Sequence, residues 1–264
     1  MSSLIRPRLF AALGALLLLA IGGVALLTGS SAKADPLSPT THNLVLGSQG
    51  SSSQQPQSME EFLTAVTTDV DAYWTQVFKD SGLQEPRVSY DWIPAGQTAA
   101  SVCGDSDGTL GDSAAAYCPG DDTIYISQKF ASDLYSGNLD GSLPGAAQGY
   151  GHAGGDFAVA YVIAHEYGHE VQDELGLFDQ NPGVPTMNFE LQADCYAGTW
   201  AKSANDAGRL EDGDVDEALQ AALAVGDFDT SSPGHHGTPE QREEAWRNGF
   251  EAGDPSACSS YLNA

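Results

Sequence analysis

The segment DFAVAYVIAHEYGHEVQDELG, residues 156–176, constrains the fold more than any other part of this sequence. Its first half is apolar on almost every side, and a helix of that kind is buried. Two histidines and several acidic residues nevertheless lie within it, and such groups are costly to bury unless they are paired or bind a metal. The sequence therefore predicts a central helix, capped by Asp156, that carries a polar site.

His165, Glu166 and His169 form an H-E-x-x-H sequence in this helix. Residues four apart lie one turn above each other, so both imidazoles point to one side and can bind a single metal ion. Glu166 is rotated about 100° from His165, because the helix has about 3.6 residues per turn. We predict the two histidines as metal ligands and Glu166 as a catalytic base beside the open position. The alternative is a pair of core histidines satisfied by hydrogen bonds.

A catalytic zinc site needs a third protein ligand and an open fourth position. Glu190 and Asp194 lie one turn apart on the next predicted helix and share a face. We predict Glu190 as the third ligand, because two histidines and a glutamate are a familiar catalytic set. Asp194 then accepts the free ring N–H of a ligating histidine. His235 and His236 are the alternatives to Glu190 as third ligand.

The N-terminal residues 1–34 are typical of an export signal. Arg6 and Arg8 precede an uncharged apolar run, and Ala32-Lys33-Ala34 provides a small-x-small cleavage site. The run nearly reaches the ~20 residues that span a bilayer. The sequence therefore predicts either secretion after cleavage near Ala34 or a single-pass membrane anchor. In both cases the rest of the chain lies outside the cytoplasm, and only this segment contacts the membrane.

Residues 35–57 are rich in Ser, Gln, Pro and Gly and are predicted to form a flexible linker, which leaves 58–264 as the folded catalytic domain. Ten Lys and Arg stand against 36 Asp and Glu, which gives a formal net charge of −26. A surface this acidic repels phosphate backbones, so nucleic acid is excluded as a partner.

Four cysteines in an exported chain predict two disulfides, for which three connectivities exist. Cys103 and Cys118 are close in sequence and would close a loop rich in Gly, Ser and Asp. That pairing leaves Cys195 to join Cys258, which would attach the C-terminal tail to an internal helix.

Local patterns predict an α+β fold that is mainly helical, with a small antiparallel-containing sheet. Ser58 and Glu61 form a capping-box pattern before a helix with apolar residues at helical spacing. Thr238 to Gln241 has the same pattern, with Pro at the first helical position. The remaining predicted elements are strands over 87–93 and 123–127 and helices that start at Gln128, near Asn188 and near Asp214.

Four stretches, HEYGHEVQ, ELQADCYAGTWA, HGTPEQREEAW and YCPGDDTIYIS, together resemble the bacterial neutral zinc metallopeptidase family. The resemblance implies a zincin-like fold, one zinc ion per chain and peptide hydrolysis. By position, His165 and His169 match the histidine ligands of that family, Glu166 its catalytic acid and Glu190 its third ligand. The positions of the four cysteines also resemble the cysteine positions of that family. Glu170 departs from the pattern, since a histidine is expected there.

The residues and the resemblance predict a zinc-dependent peptidase acting on peptide or protein substrates. His236 is the candidate donor to the tetrahedral oxyanion, because it lies just before a capped helix within one of the resembling stretches. Its alternative role is to anchor that turn, and Arg242 is expected to form an ion pair. Two other functions fit the same features: a non-catalytic, zinc-stabilised envelope or binding protein, and a zinc amidase acting on cell-wall peptides.

Overall fold

A computed structural model describes residues 58–262, so the predicted export signal and linker lie outside the described residues. The boundaries predicted for those two segments therefore stay predictions. Within 58–262, no helix combines the length and the apolar character that crossing a membrane requires.

Helices dominate the described chain, and two short 3-10 segments accompany them. The helices are α1 (Met59–Asp80), α2 (Gln128–Tyr135), α3 (Asp156–Glu174), α4 (Leu177–Gln180), α5 (Thr186–Asp206), α6 (Asp214–Val225) and α7 (Pro239–Ala252), with the 3-10 segments at Ala146–Gln148 and Pro255–Tyr261. The strands are β1 (Ser89–Ile93), β2 (Ala99–Ala100), β3 (Thr109–Leu110), β4 (Ala115–Cys118) and β5 (Thr123–Ser127). The predicted mainly helical α+β class is confirmed.

The main sheet has three strands in the order β1-β5-β4, and β2 and β3 form a separate small antiparallel ribbon. In the main sheet, β5 pairs in parallel with β1 and antiparallel with β4. Strand β1 begins two residues later than predicted, at Ser89, because the backbone N–H of Arg87 donates to the Glu174 carboxylate instead. Strand β4 was not predicted: its sequence, AAYC, is buried at every position and therefore lacks the polar–apolar alternation that marks a half-buried strand.

Helix α3 lies at the centre of the fold, as its apolar sequence predicts. Every residue from Asp156 to Gln172 is buried, and the helix packs against α1, α5, α6 and β4. The prediction that Asp156 caps α3 is wrong, because Asp156 is the first helical residue and Gly155 precedes it with φ of 97°. A carboxylate oxygen of Glu217 in α6 accepts the N–H of Phe157 at 3.0 Å. A side chain that is distant in sequence therefore accepts a hydrogen bond from the first turn of α3.

Helix α1 packs on this core through the apolar residues predicted from its spacing. Phe62, Val66, Val70 and Trp74 are all buried. The Ser58 hydroxyl caps the helix by accepting the N–H of Glu61 at 3.2 Å. The N-terminal helix of the domain is therefore amphipathic and belongs to the same core as α3.

Helices α5 and α7 cross with their backbones in contact at two glycines. A Cβ atom at Gly198 would overlap the carbonyl oxygen of Trp246, and one at Gly249 would overlap the carbonyl oxygen of Cys195. The capping box that starts α7 is present as predicted, with Thr238 and Gln241 each accepting the other's backbone N–H. The crossing fixes the position of α7 on α5.

Both predicted disulfides are present, Cys103–Cys118 and Cys195–Cys258. The second joins α5 to the C-terminal 3-10 segment, and both of its cysteines are completely buried. Disulfides are typical of proteins outside the cytoplasm.

Replacing both Cys195 and Cys258 by serine should lower the free energy of unfolding by about 2–5 kcal/mol, because the bond restricts the unfolded chain. The matched control replaces Cys103 and Cys118, which are separated by 15 residues rather than 63. Chain entropy makes that loss smaller by about 1 kcal/mol. Urea unfolding measures both losses. A Cys195/Cys258 variant as stable as the parent protein would contradict the expectation.

Candidate metal centre

Helices α3 and α5 bring His165, His169 and Glu190 together in the buried core, with one possible ligand atom from each within 4.8 Å of the others. The Nε2 atoms of the two histidines are 3.2 Å apart. Glu190 Oε2 lies 3.3 Å from His165 Nε2, and Glu190 Oε1 lies 3.4 Å from His169 Nε2. Three residues from two helices thus form a compact cluster of two imidazoles and one carboxylate.

The far side of each imidazole faces an oxygen acceptor. His165 Nδ1 lies 2.9 Å from Asp194 Oδ1, and His169 Nδ1 lies 2.8 Å from Gln172 Oε1. The amide of Gln172 is oriented by its Nε2, which donates to the carbonyl of Phe189 at 2.8 Å. We therefore assign the hydrogen of each neutral ring to Nδ1, which leaves the two Nε2 lone pairs facing each other. The two lone pairs repel each other unless a cation or a proton lies between the rings.

The buried charges shift the pKa values of His165 and Glu190 in opposite directions. Burial acts to lower the pKa of His165, and so does the charge of Arg242, but the charge of Asp194 together with hydrogen bonds to Asp194 and Glu190 raises that pKa to about 9. Burial acts to raise the pKa of Glu190, yet His169 and His165 hold it well below its usual range.

A further observation on Glu190 indicates that the cluster suits a metal ion. Its Oε1 atom is buried and has no hydrogen-bond partner among the described residues. A buried carboxylate oxygen without a partner is costly, and a bound cation would satisfy it. Two neutral imidazoles and one carboxylate are also ligands that zinc accepts. These residues could therefore hold a metal ion.

A cavity of about 20 Å³ lies beside the three candidate ligands, and Glu166, Val162, Val225 and His236 contribute to its wall. A space of this size admits one water-sized group. The protein thus supplies three candidate ligand side chains and a small space next to them, which would leave a bound metal ion one open position.

Glu166 reaches this cavity from α3, and strand β4 holds its carboxylate. Glu166 Oε2 accepts the backbone N–H of Tyr117 at 2.8 Å, and the side chain is almost completely buried. Sequence reasoning missed Tyr117 as a functional residue, because no local signal shows which backbone N–H a strand presents to a helix 49 residues away.

His236 lies in the cavity wall, and Asp227 fixes the turn that carries it. The backbone N–H of His236 donates to Asp227 Oδ2 at 2.8 Å, while the His235 ring lies 2.5 Å from Oδ1. Burial acts to raise the pKa of Asp227, but these bonds lower it overall. The candidate ligand group contains Glu190 together with His165 and His169, and it does not contain His235 or His236.

Asp194 is completely buried and connects three helices. Its Oδ1 accepts the hydroxyl of Tyr161 at 2.7 Å and Nη2 of Arg242 at 2.9 Å, and its Oδ2 accepts Nε of Arg242. Burial acts to raise the pKa of Asp194, but Arg242 and His165 lower it overall. The expected ion pair of Arg242 is therefore present, with Asp194 as its partner.

Two further contact residues were missed although the sequence carried a signal for them. Tyr161 lies four residues before His165, and Gln172 lies three after His169, so helical spacing places each on the face of its histidine. Glu170, at the position where the family pattern suggested a histidine, is buried but not part of the ligand group. Burial raises the pKa of Glu170 to about 8, helped by neighbouring carboxylates.

Comparison with known proteins agrees with this geometry. The family model described as "Putative neutral zinc metallopeptidase" matches residues 9–261. YpfJ of Escherichia coli strain K12 is 34% identical over 218 residues, which cover 76% of this chain and 71% of YpfJ. Mb2605 of Mycobacterium bovis is 32% identical over 223 residues, covering 76% of this chain and 70% of the relative. No solved structure matches the chain. The chain therefore belongs to the family of neutral zinc metallopeptidases.

Proposed function

We propose that this chain is a zinc-dependent peptidase that hydrolyses peptide bonds with one zinc ion held by His165, His169 and Glu190. The observation that carries the proposal is the convergence of these three buried side chains with Glu166 around one small cavity. Membership of the zinc metallopeptidase family supports both the choice of metal and the class of reaction.

A zinc ion bound by these residues would lower the pKa of water to about 7 and would polarise the substrate carbonyl. Glu166 accepts the proton of the attacking water and passes it to the leaving amine. The Tyr117 N–H holds Glu166 Oε2, which leaves Oε1 to carry the proton. His236, fixed by Asp227, donates to the oxyanion that forms on the substrate carbonyl.

The position of Glu166 supports catalysis over a purely structural zinc site. A structural site closes zinc with four protein ligands and needs no acid beside it. Here His165, His169 and Glu190 form the candidate ligand group, and Glu166 lines the cavity without joining them. A zinc amidase acting on cell-wall peptides would use the same groups, so the activity assay should include both peptide and cell-wall substrates.

The proposed partners are peptide or protein substrates that meet the enzyme outside the cytoplasm. The two disulfides support an extracytoplasmic location. Export would depend on residues 1–34, either as a cleaved signal or as a membrane anchor. The net charge of −26 makes nucleic acid an unsuitable partner.

The purified protein should hold one zinc ion, and His165→Ala or His169→Ala should lose it, because each change removes one of three ligands. Elemental analysis after desalting measures the zinc content. His152→Ala is the matched control, since His152 is exposed and interacts with Asp140, and it should keep its zinc. Full zinc occupancy in either α3 variant would refute the ligand assignment.

Glu166→Gln should keep zinc and fold but reduce turnover by about 10²–10⁴-fold, the usual contribution of a general base. The amide retains an oxygen that can accept the Tyr117 N–H, so the substitution removes mainly the proton acceptor. Cleavage of an unstructured protein measures turnover, and Glu244→Gln on exposed α7 surface serves as control. Unchanged turnover in Glu166→Gln would assign the base to another residue.

Glu190→Ala should nearly abolish zinc binding, whereas Asp194→Asn should weaken zinc affinity or activity by about 10–100-fold, as expected for a residue that orients a ligand. Titration against a competing chelator measures both affinities, with circular dichroism to show that each variant is folded. If Asp194→Asn lost more affinity than Glu190→Ala, the two roles would have to be exchanged.

A further inference from the structure

Three successive hydrogen bonds join His169 to the C-terminal 3-10 segment. Gln172 Oε1 lies 2.8 Å from His169 Nδ1, and Gln172 Nε2 donates to Gln192 Oε1 at 3.1 Å. Gln192 Nε2 then donates to the backbone carbonyl of Cys258 at 3.2 Å. Both glutamines and Cys258 are at most 2% exposed, so solvent does not compete for these bonds. Gln172 and Gln192 thus form an amide chain from a candidate metal ligand to a segment that contributes no ligand.

The direction of this amide chain is fixed at its C-terminal end. A backbone carbonyl can only accept a hydrogen bond, so the side-chain nitrogen of Gln192 must face Cys258. The oxygen of Gln192 therefore faces Gln172 and accepts from the nitrogen of that amide. The oxygen of Gln172 is left for His169, whose Nδ1 must carry the hydrogen. The amide chain therefore selects the His169 tautomer that keeps the Nε2 lone pair for a metal ion.

Gln172 depends on Gln192 for one of its two donors. The amide nitrogen of Gln172 carries two hydrogens, and one of them is donated to the Phe189 carbonyl at 2.8 Å. The other hydrogen is donated to Gln192. Without Gln192, this buried donor would lose its acceptor, which is costly. The Gln172 amide would then be free to turn about its remaining bond to Phe189 and to move its oxygen away from His169.

The far end of the amide chain is held to α5 by a covalent bond. Cys258 forms a disulfide with Cys195, which lies three residues after Gln192 and therefore on the same side of the helix. The disulfide keeps the Cys258 carbonyl within reach of Gln192. Asn188, one turn before Gln192, donates to the carbonyl of Tyr261 at 2.7 Å, and this second bond to the same segment lies outside the amide chain.

We propose that Gln192 is a positioning residue of the metal centre, which acts through Gln172 to hold the Nε2 lone pair of His169 towards the metal ion. This role rests on the proposed zinc site. The C-terminal segment supplies no ligand, yet its Cys258 carbonyl sets the orientation of both amides. Gln192 thereby couples the attachment of this segment to the affinity of the site for zinc.

Gln192→Met tests this role, because methionine has a similar size but carries no amide. We expect zinc affinity, measured against a competing chelator, to fall by about 10-fold, the lower end of the range for residues that orient a ligand. Asn188→Leu is the matched control, since it removes an amide-to-carbonyl hydrogen bond between the same two segments without touching the amide chain. The control should bind zinc like the parent protein.

A double variant separates positioning from a general loosening of the core. Gln172→Met removes the hydrogen-bond partner of His169 and should lower zinc affinity by about 10–100-fold. Because Gln192 acts through Gln172, adding Gln192→Met to this variant should cause no further loss, since residues in one hydrogen-bond network are not additive. Losses that add in the double variant would overturn the role of Gln192.

Proton NMR of the zinc-loaded protein gives a measurement that needs no double variant. The Nδ1 hydrogens of His165 and His169 should each give an imidazole signal that exchanges slowly with water. In Gln192→Met the His169 signal should exchange faster, whereas the signal of His165, which lies against Asp194, should not change. Parental zinc affinity together with an unchanged His169 signal would overturn the role of Gln192 alone.

Gln192→Asn is the second variant, in case circular dichroism shows that the methionine variant does not fold. Its amide is one methylene shorter and cannot reach both Gln172 and Cys258, so zinc affinity and the His169 signal should change in the same direction. A parent protein that binds no zinc would overturn the zinc site together with this role.

Discussion

The rest of the structure depends on the buried carboxylate of Asp194. It accepts hydrogen bonds from Tyr161 and His165 of α3 and from Arg242 of α7, while its own backbone belongs to α5. Removing one partner of a buried ion pair typically costs about 3–5 kcal/mol, because the other charge is left uncompensated. The packing of three helices and the orientation of a candidate metal ligand therefore depend on the same hydrogen bonds. The helices cannot shift relative to one another without disturbing the site.

The candidate base has a separate support. Glu166 belongs to the same helix as the two histidines, but a backbone N–H of the sheet holds its carboxylate. The small sheet thus has a role that its size does not suggest, since its edge strand β4 fixes the group that would move the proton. The helices orient the candidate ligands and the sheet orients the candidate base, and α3 is the element common to both.

Local sequence signals predicted the parts of this site that depend on one helix or one turn. Helical spacing brought His165 and His169 together, and the capping box located the start of α7. Contacts between distant segments were not predictable in the same way. The bond from Tyr117 to Glu166 needs strand β4, which has no alternating pattern, and Asp156 lost its expected capping role to Glu217 of α6. The contact between Arg242 and Glu190 joins residues that are 52 positions apart in sequence. It depends on the packing of α7 on α5, which no local sequence pattern predicts.

The crossing of α5 and α7 limits which residues two positions outside the cavity can accept, Gly198 and Gly249. Gly198 and Gly249 leave no room for even a methyl group, because each lies against a backbone carbonyl of the other helix. Any larger residue would have to push α7 outward, and α7 carries Arg242. A substitution at either glycine would therefore also displace Arg242, which contacts Asp194 and Glu190. Two glycines that take no part in the candidate site thus restrict its geometry through the packing of α7 on α5.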